Sequence, residues 1–231
     1  MNPANRIEGL HHIAVCTANL KAQIAYFSDV LGMELVALYW MHGVTNTWHA
    51  FLRMGDSSSI AFLQNPDIEK IPVDIGKTHS GNPAASCARG TMQHLALRVR
   101  DEAELLALRD RVRSRGVPVL GPLDHGLCKS IYFAAPENLS LEIACSSEPI
   151  NPKAWIDPKV AQLAGITPSE LASYTQPAAF RDRGGEVPQP ALEGPGPHMT
   201  NYPEGFYEAL LSLPDEDVLA MSEKEPPVPV G

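Results

Sequence analysis

The chain has no excess of basic charge, no long apolar run and little cysteine, and each shortage excludes something. Its 231 residues carry 27 acids against 18 lysines and arginines, a formal net charge of −9. That balance argues against a nucleic-acid partner, because phosphate binding is driven by clustered Lys and Arg. No apolar stretch approaches the roughly 20 residues that cross a bilayer, so no membrane partner is expected. The opening "MNPANRIEGL" has neither the basic nor the apolar region of a signal peptide, and a cytoplasmic location is the expectation. The four cysteines, Cys16, Cys87, Cys128 and Cys145, form no C-x-x-C pair and no dense framework. They are expected as reduced thiols and small core residues. No G-x-S-x-G elbow offers a serine nucleophile, and no glycine loop is of the phosphate-cradling kind.

What the chain does have is unevenly spread. With 44% hydrophobic residues it can bury a full core in one domain, or in two small ones with a tail. From Pro177 onward ten acids face three bases, and the run "RGGEVPQPALEGPGPHMTNYP" has no helical or strand period. It reads as an extended arm. Beyond it "EGFYEALLSL" and "DEDVLAMSE" can each form a short helix. Before it, Thr167-Pro168-Ser169-Glu170 is a capping box with proline at the first helical position, predicting a helix over 168–174. Trp155, Leu163, Leu171 and Tyr174 then need an apolar surface, and the arm is expected to dock on the body or on a second protomer, so that a homo-oligomer is expected.

The main organising feature is an internal repeat. "LHHIAV" at 10–15 matches "MQHLAL" at 92–97, with His12 falling on His94. After the first copy, Leu20, Ile24, Phe27 and Leu31 have amphipathic helical spacing and Gly32 supplies the stop; after the second, Leu105, Leu108 and Val112 repeat the pattern up to Gly116. Strand-like segments follow each helix: "ELVALYW", "WHAFLRM" and "SIAFLQ", then "VPVLGP", "KSIYFAAP" and "LSLEIAC". Each copy is therefore β-α-β-β-β.

Strand alternation places Ile13 and Val15 on one face and His12, Ala14 and Cys16 on the other. Paired copies would bring His12 and His94 together. Glu142 sits between Leu141 and Ile143 in an apolar strand, where a carboxylate needs a cation or a proton. The matching strand of the first copy has Ala61 or Phe62 there, and no acid nearer than Asp56 and Asp67. Two histidines and one carboxylate with open positions form the facial triad suited to non-haem Fe(II) and O₂ chemistry.

Here the chain resembles the vicinal oxygen chelate family, which includes glyoxalase I, bleomycin-resistance proteins and extradiol ring-cleaving dioxygenases. The residues that carry the resemblance are the His-x-Ala strand starts of both copies and "KSIYFAAPENLSLEIAC", similar to the family's final hairpin with its Asp-Pro-x-Gly turn altered to Ala135-Pro136-Glu137-Asn138. It implies an α+β fold of paired βαβββ modules forming a half-open barrel around a metal site. The boundaries are residues 1–150, with modules at about 8–66 and 91–149, and a C-terminal extension over 151–231. Glyoxalase I uses four protein ligands, including an acid from each half. Extradiol dioxygenases use His, His and Glu, as here, with a tyrosine on the strand before the glutamate, which points to Tyr132. His125 lies in the loop where such members have a substrate- or oxygen-contacting His or Arg, and His11 matches the paired histidines of some hydroquinone-cleaving members. Where many catechol-cleaving members carry a base histidine, this chain reads Asp56-Ser57-Ser58-Ser59.

The resemblance thus implies a ring-cleaving dioxygenase taking a small dihydroxylated aromatic and O₂, with Fe(II) at His12, His94 and Glu142, or Mn, Zn or Ni, and with Tyr132, His125 and His11 as catalytic candidates. The alternatives are a metal-dependent isomerase, epimerase or lyase on the same ligands, and a metal-free protein that sequesters a drug-like molecule. His11 faces either the helix or the ligand histidine's outer side. His49 can line the pocket. His42, His79 and His198 lie in loop-like contexts, His79 within "GKTHSGNPAASCARG", a polar connection that could also serve as a lid.

Overall fold

The computed structural model describes residues 7–180 and 184–229. The first module runs β1 (His12–Cys16), α1 (Leu20–Asp29), β2 (Leu35–Trp40), β3 (Trp48–Gly55) and β4 (Ser58–Gln64). The second runs β5 (Leu95–Arg98), α2 (Glu102–Ser114), β6 (Leu120–Asp124), β7 (Lys129–Ala134) and β8 (Ser140–Cys145). Each module folds into its own four-stranded sheet, ordered β1-β4-β3-β2 and β5-β8-β7-β6, with the first strand parallel to the last and the others antiparallel. Neither sheet closes, so the fold is α+β with paired half-barrel modules.

Local chemistry explains the elements. Asn19 caps α1 by accepting from the Ala22 amide, and Asp101 caps α2 by accepting from Glu104. Acids Glu102 and Glu104 in the first turn of α2 and Arg111 and Arg113 in its last complement the helix dipole. Leu20 and Phe27 from one helix, Leu31 just past its end, and Leu105 and Val112 from the other are buried, with Ile24 and Leu108 packed beside them, as the spacing predicts. From the sheets Ile60, Phe62, Ile131, Leu141 and Ile143 join the same core. One difference is in β6, expected over "VPVLGP" but running Leu120–Asp124, with Val117 and Val119 packed against the core ahead of it.

The altered hairpin turn has a use. Glu137, at φ +59°, reaches α1 and its entry, where its carboxylate accepts from Thr17 Oγ1 at 2.5 Å, the Ala18 amide at 2.8 Å and Gln23 Nε2 at 2.8 Å. Tyr26 donates to the Ala134 carbonyl at 2.6 Å, and Arg111 donates to the carbonyls of Val30 and Asp29. These bonds tie the first module's helix to the second module.

Past β8 come α3 (Pro152–Trp155), α4 (Pro158–Leu163) and α5 (Pro168–Thr175), each with Pro at its start behind a capping Asn151, Asp157 or Thr167. The Thr167–Glu170 capping box forms as expected. Trp155, Leu163 and Tyr174 remain 48%, 80% and 62% exposed, so the helices they ride on are not buried against the sheets in the way their apolar character suggests. Residues 8–41 and 45–177 make one compact unit. Residues 42–44 and the described residues from Ala178 onward make another, which contains α6 (Phe206–Leu211) and α7 (Asp215–Met221), the two short helices expected there. In it Tyr202 stacks on Tyr207, and Gly43 donates its amide to the Glu223 carboxylate. No helix among the described residues is long and apolar enough to cross a membrane.

Candidate metal centre

In the second sheet, Ala96 pairs with Glu142, and Glu142 pairs on its other side with Tyr132. Leu141 and Ile143 face the core, so Glu142 faces the open side, as His94 does just before β5. Glu142 is only 6% exposed. Its Oε1 accepts from Ser130 Oγ on β7, and its Oε2 lies 2.8 Å from His94 Nε2. The other nitrogen of that imidazole, Nδ1, meets Gln93 Oε1. Gln93 spends its amide hydrogens on the carbonyls of Asn82 (3.2 Å) and Ala85 (3.0 Å), so its oxygen is turned to His94 as an acceptor and His94 donates from Nδ1. A neutral imidazole has one proton, and Nδ1 holds it. Nε2 and a buried carboxylate therefore face each other with two lone pairs, an arrangement that calls for a further proton or a metal ion.

Tyr132 stands beside this pair, its ring 6.1 Å from that of His94. Burial, and after it the Glu142 charge, pushes its phenol above the ordinary range. The Tyr132 hydroxyl lies 3.1 Å from Nε2 of His125, which is exposed. The His125 loop is pinned by Asp124 Oδ1 accepting from the Gly126 amide and by the ring of Trp155, against which a Cβ on Gly126 would stand at only 3.0 Å.

The first sheet carries a different set. His12 lies on the open face with its Nδ1 2.8 Å from Nδ1 of His11 and its ring edge-on to Phe51 at 5.5 Å. His11 is therefore the repeat counterpart of Gln93, each holding the Nδ1 of the histidine that follows it. Ala61 occupies the register position of Glu142, since it pairs with Ala14 as Glu142 pairs with Ala96. By the same register Phe51 matches Tyr132, and His49 matches Ser130. His49 is 7% exposed. Burial first, and the His12 charge second, lowers its pKa.

Of the three ligands expected from the sequence, the structure brings His94 and Glu142 together and leaves His12 on the other sheet. Among the described residues no three His, Cys, Asp or Glu side chains meet to hold a metal ion. His12 begins β1 and His94 precedes β5, the edge strands of two sheets that share no hydrogen bonds. Tyr132 and His125 do pair, and His11 meets His12 rather than the helix. His79 is half-buried with Nδ1 2.9 Å from Thr78 Oγ1, His42 donates to the Glu223 carbonyl, and His198 is exposed. Of the cysteines, all free, only Cys145 is buried; Cys16 is exposed on the open face, a correction to its expected place in the core. Sequence reasoning missed Gln93, Ser130 and Trp155. The "QH" and "HH" pairs in repeat-equivalent places could have pointed to Gln93; nothing local singles out the other two.

A family model described as the glyoxalase/bleomycin resistance protein/dioxygenase superfamily matches residues 9–143. Among solved structures, the lactoylglutathione lyase of Agrobacterium tumefaciens is 18% identical over 62% of this chain and 96% of its own, with a TM-score of 0.42. A Listeria monocytogenes fosfomycin resistance protein complexed with Mn(II) is 15% identical over 64% and 99%, with a TM-score of 0.44. An antibiotic binding protein of Streptomyces sp. CB03234 is 17% identical over 61% and 98%, with a TM-score of 0.43. No curated protein gives a significant match. The family match covers more than half of the chain and coincides with the two βαβββ sheets and the His94–Glu142 pair, and the chain belongs to the glyoxalase/bleomycin resistance protein/dioxygenase superfamily.

Proposed function

We propose that the chain is a metal-dependent ring-cleaving dioxygenase acting on a small dihydroxylated aromatic with O₂. The observation that carries this reading is the buried Glu142 facing an imidazole nitrogen already turned toward it by Gln93, with a protonated phenol alongside. Imidazole and carboxylate fit a divalent first-row metal, and His94, Glu142 and His12 are the residues that would hold it. When bound, Fe(II) supplies the open positions at which a diol and O₂ are brought together.

The remaining work belongs to the chain itself. Ser130 holds Glu142 in place by its hydrogen bond. Tyr132, kept protonated by its raised pKa, donates a hydrogen bond to a substrate oxygen, and His125 at 3.1 Å passes protons between that phenol and solvent. The test is anaerobic purification with metal analysis, followed by oxygen uptake on catechol and hydroquinone. Stoichiometric iron with oxygen uptake supports the reading. Metal without oxygen uptake turns it to an isomerase, epimerase or lyase on the same ligands, and a protein that binds no metal turns it to sequestration. Glu142→Ala is expected to lose the metal while staying folded; retention of full iron by that variant sinks the ligand assignment.

A further inference from the structure

The first sheet repeats the second with two substitutions that compensate one another. In the second module Ser130 donates to Glu142. In the first, the acid's place is taken by Ala61 and the serine's by His49, so a larger donor stands where the acceptor has been removed. His49 Nε2 is buried and has no hydrogen-bond partner. Nδ1 lies 3.4 Å from the Tyr39 hydroxyl. In the tautomer in which that hydroxyl donates to Nδ1, the ring's one proton sits on Nε2. A buried donor left unspent is costly, and a site that retains one has a use for it.

The surroundings say what kind of acceptor fits. The His49 and Phe51 ring centroids are 4.5 Å apart, Phe51 lies parallel to Tyr39 within 13°, and Phe51 also meets His12 edge-on. Ala14 and Ala61, paired in register, keep the sheet surface low between these rings. His49 itself is no further metal ligand beside His12: it pairs with Leu63, as Cys16 does, and Cys16 lies four residues along β1 from His12, roughly 13 Å at 3.3 Å per residue.

We infer that His49 is a ligand-binding residue of the first sheet's open face, its Nε2–H donating to an oxygen on an aromatic ligand that lies against Phe51 and Tyr39. The inference rests on the proposed function for the aromatic class and adds to it a polar contact away from the metal ligands. Nε2 is shut off from water in the free protein, so a ligand reaches it only when the side chains around it give way.

The experiment is an NMR titration of the full chain, stripped of metal by chelation and labelled with ¹⁵N in its histidine side chains. The probes are 3-methylcatechol and toluene, rings of one size with and without oxygen acceptors. The expected result is a shift of the His49 Nε2–H on adding 3-methylcatechol but not toluene. His49→Phe should weaken 3-methylcatechol about tenfold and leave toluene unchanged, while His49→Gln, which keeps a donor, recovers part of the loss. Wild-type affinity for 3-methylcatechol in His49→Phe overturns the inference, as does a wild-type protein in which the probe leaves the His49 signal unmoved. Should His49→Phe fail to fold, the wild-type shift and the His49→Gln affinity decide alone. Oxygen uptake separates the two readings: ring cleavage with no role for His49 removes this inference only, and His49-dependent binding without cleavage removes the dioxygenase reading only.

Discussion

A histidine offers a metal only one nitrogen, and the residue before it decides which. Gln93 turns His94 so that Nε2 meets Glu142, and His11 takes Nδ1 of His12 in the same way. Removing such an outer partner lowers metal affinity by about 10–100-fold in other metal sites. Gln93→Met is expected to fall in that range by competitive metal titration, and equal affinity in Gln93→Met refutes the orienting role. Tyr132 makes the second prediction at this scale. Its loss in Tyr132→Phe should lower kcat by about 10²-fold with a smaller effect on KM. An unchanged kcat on a confirmed substrate reduces Tyr132 to a packing residue, and because His125 shares its proton the double variant is measured alongside.

At the scale of elements, α1 is held to the second module by hydrogen bonds more than by strand pairing, and one of these responds to pH. Burial pushes the Tyr26 phenol up to about 12 from its ordinary 10.0. Because the folded-state value is raised, the stability it contributes is complete below pH 10 and is lost as the pH climbs from 10 toward 12. Urea midpoints measured across that window should fall more steeply for the wild type than for Tyr26→Phe; parallel curves would show that the hydroxyl is not part of the joint. The α3 helix has its own test. Gly126 has φ +78°, and a Cβ there would stand 3.0 Å from the ring of Trp155. Gly126→Ala is expected to cost about 1–2 kcal/mol by thermal melting. Pairing it with Trp155→Ala should return the steric part of that cost, and simple additivity in the double-mutant cycle would mean that the contact is absent.

The whole molecule raises the question of where His12 acts. Within the described residues it does not join His94 and Glu142, and the edges of the two sheets are unpaired. If the proposed ligand set is completed by a second copy whose first module faces this chain's second module, the oligomer is part of the site. Mixing His12→Ala with Glu142→Ala protomers is then expected to restore one metal per pair, since one of the two shared sites regains all its ligands, although neither variant binds metal alone. A mixture that stays metal-free places all three ligands on one chain.

The modules are legible in the amino-acid order alone. Helix and strand periods, the stops at Gly32 and Gly116 and the alignment of His12 with His94 are local or repeat-level facts, legible because amphipathic spacing follows directly from backbone geometry. The sequence also marked Glu142, because a carboxylate between Leu141 and Ile143 has to be neutralised wherever the strand lies. Which partners meet depends on the folded chain. That Glu137 reaches back to Thr17 and Gln23, that Gln93 spends its amide on Asn82 and Ala85 and so aims its oxygen, and that His49 replaces Ser130 by register all depend on strand pairing and chain reversal across many residues. That no three potential metal ligands meet among the described residues has the same origin: the repeat makes the two first strands alike, but the packing of one sheet against the other is set by contacts that no local period encodes.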